Sequence, residues 1–386
     1  MRSVYLDNAA STPVDERVLA AMRPFFLEKF GNPSSLHRKG CEAREAVEEA
    51  RGEVASAIHA SRSEEIIFTS SGTESNNFAL KGSVFANRHK GNHIIVSAIE
   101  HDCVINSCRW LQTQGIDVSY LPVNSEGLID LDRLQEVIRQ ETILVSIMHA
   151  NNEIGVIEPI EEIGKLCRAR GVYFHTDACQ SFGKIPFDVQ SMNIDLATVN
   201  GHKIYGPKGI GALYIRAGVS IMPWQHGGGQ ESGLRSATEN VPGIVGFAKA
   251  ARLCMDEIGT EMPRLQALRD HIIETISNDI PVSYLNGHRH HRLPTNVNIG
   301  FEGFEGQAPN LLLELDKKNI FVSTGSACSS AQQKYSHVLT AIGRNPVQAI
   351  GALRISLGRF TSADDIDYFL DKLAETVNRL RSIRSL

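Results

Sequence analysis

Between Glu65 and Ile215 the chain alternates seven short apolar runs with amphipathic stretches, and few architectures accept that rhythm. The runs are IIFT (66–69), IIVS (94–97), VSYL (118–121), ILVSIM (143–148), VYFHT (172–176), DLATV (195–199) and GALYI (211–215). They are β-branched and mostly apolar at successive positions, as in strands buried on both faces of a parallel sheet. Helical patterns lie between several of them. One carries Leu134, Val137 and Ile138; another carries Ile160, Ile163, Leu166 and Cys167 and starts just after Pro159. Strand alternating with helix predicts an open α/β sheet with helices on both faces.

Past Ile215 the texture changes. A long helical stretch is expected from about Val241 to Ser277, broken near Pro263. NVNIGF (296–301) and RISLGRF (354–360) read as strands, residues 310–318 as a helix, and a last amphipathic helix begins near Ser362. FVSTGSACSSAQQ (321–333) is small, polar and rich in Gly and Ser, and reads as a loop. The expected division is a large α/β domain over 16–255 and a smaller α+β domain built from 1–15 and 256–386.

The bulk composition mainly excludes. The 386 residues suffice for two domains, and 42% hydrophobic with 22% charged residues is ordinary for a globular protein. A formal net charge of -5 asks for neither direct nucleic acid binding nor an acidic membrane surface. No apolar run is long enough to span a bilayer, and MRSVYLDNAAST lacks the layout of a secretory signal. The 7 cysteines are odd in number, scattered and without a C-x-x-C pair, so neither a disulfide framework nor a zinc site is expected, and a reducing cytoplasm fits best. HRHHR (288–292) lies between Gly287 and Pro294, which marks an exposed loop whose polarity is incidental; no metal site is expected.

Polar clusters follow the strand candidates, and open α/β sheets bind ligands at strand carboxyl ends. The first strand runs into SSGTESNN (70–77), where Gly72 would permit a tight turn and Thr73 would open a helix, a ready phosphate cup or simply a helix cap. AIEHDC (98–103) places His101 at a strand end, HANNEIG (149–155) offers Asn151 and Asn152, and TDACQS (176–181) offers an acid. NGHKIYGPKGIG (200–211) carries Lys203 in a Gly-rich turn that is neither a P-loop nor a dinucleotide fingerprint. Each motif is weak alone; in this order, at successive strand ends, they form a constellation.

That constellation resembles the fold-type I pyridoxal phosphate (PLP) enzymes of the class-V aminotransferase family, and within them the cysteine desulfurases of the NifS/IscS type. The likeness covers YLDNAAST (5–12), FGNPSS (30–35), the strand-end motifs, HGGGQESGLRSATEN (226–240), STGSACSS (323–330) and RISLGRF (354–360). It implies a large domain with a mixed, mostly parallel seven-stranded sheet plus a smaller α+β domain. It also implies roles for individual residues. Lys203 carries PLP as a Schiff base and becomes the general base. Asp177 keeps the pyridine nitrogen protonated, Gln180 donates to the ring hydroxyl oxygen, and His101 stacks on the ring and moves protons. Gly72, Thr73, Asn200 and His202 belong to the phosphate site. Thr238 reaches it from the partner subunit, which implies a homodimer. Asn152 and Arg354 bind the substrate carboxylate.

The same resemblance implies that Cys328 takes sulfur from L-cysteine as a persulfide, leaving alanine. Its neighbours Ser326, Ala327, Ser329 and Ser330 fit a buried structural cysteine poorly, unlike the apolar helix faces around Cys167 and Cys254. The 323–334 segment, which has no large apolar side chain, is expected to be poorly ordered or held away from the cofactor in the resting enzyme. The sulfur acceptor, an iron–sulfur cluster scaffold or a thio-modification enzyme among others, is not legible. Asn200 stands where many relatives have serine. Some relatives dock a scaffold protein through a longer C-terminal tail, so that docking is not carried over. Selenocysteine lyase or an aminotransferase is the alternative activity; a non-catalytic scaffold agrees least with the full residue set.

Overall fold

The computed structural model describes residues 2–302, 307–324 and 335–384. Its frame is a seven-stranded sheet of β2 (Ile66–Thr69), β3 (His93–Ser97), β4 (Asp117–Leu121), β5 (Thr142–Ser146), β6 (Tyr173–Asp177), β7 (Leu196–Asn200) and β8 (Gly211–Ile215). The spatial order is β2-β8-β7-β6-β5-β3-β4. Strands β4, β3, β5, β6 and β7 run parallel, while β8 is antiparallel to both β7 and β2.

The apolar alternation along each strand feeds two cores. Phe68, Val145, Ala212 and Tyr214 face one, with Ala43, Val47, Ala50 and Val54 of the helix Arg38–Ala57. Ile67, Leu144, Leu213 and Ile215 face the other, with Phe78 of the helix Gly72–Ala86 and Val104, Cys108 and Leu111 of the helix Asp102–Thr113. Burial on both faces is why the strands read as nearly continuous apolar runs.

A further apolar cluster joins the chain's beginning to its end. β1 (Val4–Tyr5) pairs in parallel with β11 (Ile320–Phe321), and β12 (Leu353–Ser356) and β9 (Ser283–Leu285) flank β10 (Asn296–Phe301) antiparallel. Val4 and Leu6 pack there with Leu353, Ile355 and Phe369.

The long helix departs from its sequence reading. It runs unbroken over Val241–Asp279 with Pro263 inside. An interior proline costs about 3 kcal/mol. Past it, however, Leu265, Ile272, Ile273 and Ile276 are buried, each contributing about 1.5–3 kcal/mol. Gly259, whose carbonyl Pro263 cannot cap, is exposed to water. Among the described residues, no helix is long and apolar enough to cross a membrane.

Candidate active site

The carboxyl ends of β2, β6 and β7 meet at one place. Beyond β2, Ser71 caps the helix Gly72–Ala86 by accepting from Glu74 N at 3.2 Å, and Thr69 Oγ1 meets Ser75 Oγ at 2.7 Å. Gly72 is needed for space, not for a special turn. A Cβ there would stand 2.5 Å from Cys179 Sγ and 3.3 Å from Asn200 Nδ2. Only a bare backbone lets this helix N-terminus, with Thr73 in its first turn, come so close to the ends of β6 and β7.

Asp177 ends β6, buried, between two donors. Asn76 Nδ2 donates to Oδ2 at 2.6 Å, and Cys179 N donates to Oδ1 at 2.9 Å. One turn on, Gln180 Nε2 donates to the Ala9 carbonyl at 3.0 Å, and Lys184 Nζ approaches Gln180 Oε1 at 3.5 Å. Burial, then the nearby Lys203 charge, pulls the Lys184 ammonium down to about 7.

β7 ends at Asn200, and Lys203 follows within the next turn. The N-terminal segment holds that turn: Thr12 N and Oγ1 both donate to the His202 carbonyl, at 2.9 and 3.1 Å. His202 Nδ1 lies 3.3 Å from Ser11 Oγ. Burial, then Lys203, Lys208 and Lys184, brings the His202 ring down to about 4, so it is neutral at pH 7.

His101 caps the helix Asp102–Thr113, with Nδ1 accepting from Cys103 N at 3.2 Å and lying 3.1 Å from Cys103 Sγ. Burial lowers its pKa, Asp177 opposes this, and Lys203 adds to the lowering. Burial likewise pushes the Cys103 thiol up to about 12, keeping it protonated.

The chain's last strand closes the site. Arg354, 3% exposed, donates from Nη1 to the Asn152 carbonyl at 3.1 Å and from Nη2 to Asp7 Oδ1 at 2.9 Å. Its Nε is buried without a partner. Cys328 lies outside the described residues, and so does most of the 323–334 segment expected to be mobile. The flanks are described. Ser323 and Arg354 exchange backbone hydrogen bonds, at 3.1 and 2.7 Å. On the other side Ser336 Oγ donates to Glu153 Oε2 at 2.5 Å and His337 Nε2 meets the Glu100 carbonyl at 2.8 Å.

Thr238 is exposed, near the end of a strap over 225–240 that lies on the β2 side of the sheet. Glu231 and Ser232 in the strap have φ of 50° and 58°, a left-handed backbone that costs residues with a Cβ. The buried Glu231 carboxylate holds it, accepting from Arg51 Nη1 at 2.7 Å, Arg51 Nη2 at 2.9 Å and Phe68 N at 2.7 Å. The histidines of 288–292 form a turn in which His288 Nδ1 accepts from the amides of His290 and His291. Among the described residues no group of three His, Cys, Asp or Glu could hold a metal ion.

The residues present suit a phosphorylated pyridine aldehyde. A helix N-terminus without a Cβ offers donors to a phosphate. The Asn200 amide nitrogen lies beside that helix start, and the Asp177 carboxylate is held in place by Asn76 and the Cys179 amide. The sequence reading omitted Asn76, Cys103, Cys179 and Lys184. Asn76 sits in the quoted SSGTESNN motif, one helical turn past Gly72, and that spacing was the available signal.

The class-V aminotransferase family pattern matches residues 4–369. Cysteine desulfurase IscS of Dictyoglomus turgidum is 51% identical over 382 residues, covering 99% of this chain and 96% of that protein. A solved structure described as a NifS-like protein superposes with a TM-score of 0.91 at 38% identity, covering 98% of this chain and all of that one. Another, described as SspA in complex with cysteine, has a TM-score of 0.81 at 38% identity and covers 93% of this chain and all of that one. With its sheet order, the glycine-lined helix start and the lysine turn after β7, the chain belongs to the class-V aminotransferase family and, within it, to the PLP-dependent cysteine desulfurases.

Proposed function

We propose that this enzyme holds pyridoxal phosphate on Lys203, takes L-cysteine as substrate and collects its sulfur on Cys328. The observation that carries the reading is where segment 325–334 is tied. One end leaves from Ser323, bonded to Arg354; the other returns at Ser336 and His337, bonded to Glu153 and to the Glu100 carbonyl next to His101. The described residues on either side of Cys328 in the sequence, Ser323 and Ser336–His337, are thus both tied to residues of the site.

Bound pyridoxal phosphate supplies an electron sink conjugated to the substrate's α-carbon. Everything else is the chain's work. Asp177, fixed by Asn76 and the Cys179 amide, would hold the pyridine nitrogen of the bound cofactor and keep it protonated. Gln180 has a second amide N–H beyond the one given to Ala9, which would serve the ring hydroxyl oxygen of the bound cofactor. Gly72, Thr73, Asn200 and the neutral His202 would supply donors to the phosphate, completed by Thr238 of the partner subunit. Asn152 and the unpartnered Nε of Arg354 take the substrate carboxylate. Lys203 moves the proton at the α-carbon, and His101 moves one at the thiol.

In the sulfur step the Cys328 thiolate attacks the substrate sulfur. The Cβ–S bond breaks with its pair going to carbon, an S–S bond forms, and a proton completes alanine. Sulfur is oxidised, carbon is reduced, and no outside oxidant is needed. The persulfide then passes to an acceptor, such as an iron–sulfur scaffold or a thio-modification enzyme. The exposed Thr238 and the exposed apolar side chains of Leu27, Phe30 and Leu36 support a homodimer. Six free cysteines among the described residues suit a reducing, cytoplasmic setting.

The test is a single turnover with L-cysteine, read by mass spectrometry. One alanine should appear per Cys328 that gains 32 Da, about the mass of one sulfur. Cys328→Ser should bind cofactor and substrate yet release almost no sulfide. Full desulfuration by that variant would instead establish a lyase that needs no cysteine nucleophile.

A further inference from the structure

The strap over 225–240 is fastened to the phosphate cup of its own subunit. Arg235 Nε donates to Glu74 Oε1 at 2.8 Å, and Nη2 donates to Oε2 at 3.2 Å. Glu74 Oε2 also accepts from Ser70 N at 2.7 Å, in the turn between β2 and the helix Gly72–Ala86. One carboxylate thus holds both the cup and the strap, three residues before Thr238. The pair is largely buried, with side-chain exposure of 20% for Arg235 and 11% for Glu74, so solvent screens it little. The middle of the strap is pinned by Arg51 on Glu231, and Ser236 returns to Gln225 through its backbone N at 2.9 Å and its carbonyl at 2.7 Å. The strap is a shaped arm, not a loose tail.

We propose that Glu74 is a positioning residue for two cofactor sites: it sets the cup of its own subunit and, through Arg235, aims the Thr238 of that subunit at the other. This rests on the dimeric reading above. It has a consequence that reading lacks: damage to the Glu74–Arg235 pair acts across the dimer.

Pyridoxal phosphate titrated into the apo dimer, followed by absorbance, reads the effect without turnover. Glu74→Gln and Arg235→Met should each weaken binding about 10-fold, as loss of a charge-assisted bond does. The double variant should be no weaker than the worse single one, because the pair acts as a unit. Amides of 225–240 should exchange faster in apo Arg235→Met. Mixed dimers then separate cis from trans. In the first, one subunit carries Lys203→Ala together with Arg235→Met and its partner is wild type. The live site receives the damaged strap and should bind weakly. In the second, the two substitutions lie in different subunits. The live site receives an intact strap and should bind close to wild-type strength. Equal binding in the two mixtures, or multiplicative losses in the double variant, would overturn the proposal. Thr238→Ala is the control for the reading beneath it. If Thr238→Ala leaves affinity unchanged, the shared-site reading falls. If it weakens binding while Arg235→Met does not, only the present inference falls.

Discussion

The amide nitrogen of Asn76 stands 2.6 Å from Asp177 Oδ2 and 3.2 Å from Cys103 Sγ, so one side chain touches both the carboxylate ending β6 and the thiol beside His101. Asn76 is 1% exposed, and water cannot readily replace it. Asn76→Ala should keep its cofactor and lose about 10- to 100-fold in kcat, the value of a bond to a charged group at about 1.5–3 kcal/mol. Steady-state alanine formation measures it, and an unchanged kcat would remove Asn76 from the site.

Lys203 should be the sole cofactor anchor. Lys203→Ala should abolish the borohydride-stable adduct and cut alanine formation to background. Lys184 is the instructive control, since burial brings it down to about 7 and makes it a second candidate amine. An adduct mapped by peptide sequencing to Lys184 would transfer the assignment.

Arg354 bridges the Asn152 carbonyl and Asp7 with a planar fork that a lysine cannot copy. Arg354→Lys should raise KM for cysteine by roughly 10-fold or more, with a smaller change in kcat. A change confined to kcat would mean that the guanidinium does not hold the substrate.

Gly72→Ala should be harmful for a steric reason, with its new Cβ 2.5 Å from Cys179 Sγ. Overpacking of this kind costs about 1–3 kcal/mol, and cofactor affinity should fall as the helix start moves. Removing the obstacle should help: Gly72→Ala with Cys179→Ala should regain most of the lost melting temperature. No recovery would mean that the glycine serves another purpose.

Glu158 supplies a pH test. Burial raises its carboxyl from 4.5 to about 8, the Ile129 amide opposing, and Oε1 has no partner. Between pH 4.5 and about 8 the native state holds a proton that the unfolded chain has lost, so this group makes stability fall as pH rises through that window. Glu158→Gln keeps an acceptor for Ile129 N without the titration. Its melting temperature should match wild type near pH 5 and exceed it by pH 8, by something on the order of 2 °C. A constant difference across the range would exclude Glu158 as the source.

The frame was legible because buried strands leave little choice of residue. All seven apolar runs became the seven strands of that sheet, with ends shifted by at most two positions. Short pairings were not legible. Val4–Tyr5 and Ser283–Leu285 are strands only because distant segments pair with them, and two or three residues carry no period. Pro263 misled for a related reason, since local propensity knows nothing of the cores on either side. At the site, Asp177, His101, Lys203 and Arg354 announced themselves as chemistry at strand ends or in matched motifs. Asn76 and Cys179 did not, because their meaning lies in what they touch: a carboxylate 101 residues away and the vacant side of a glycine.

The unbroken helix Val241–Asp279 has its first half, from Val241 to Cys254, in one core and its second, from Leu265 to Ile276, in another. Melting of either core would strip one half of its apolar cover and leave the other half fraying from its middle. The two cores therefore share one ladder of backbone hydrogen bonds, and heat should dissolve them as a single cooperative unit.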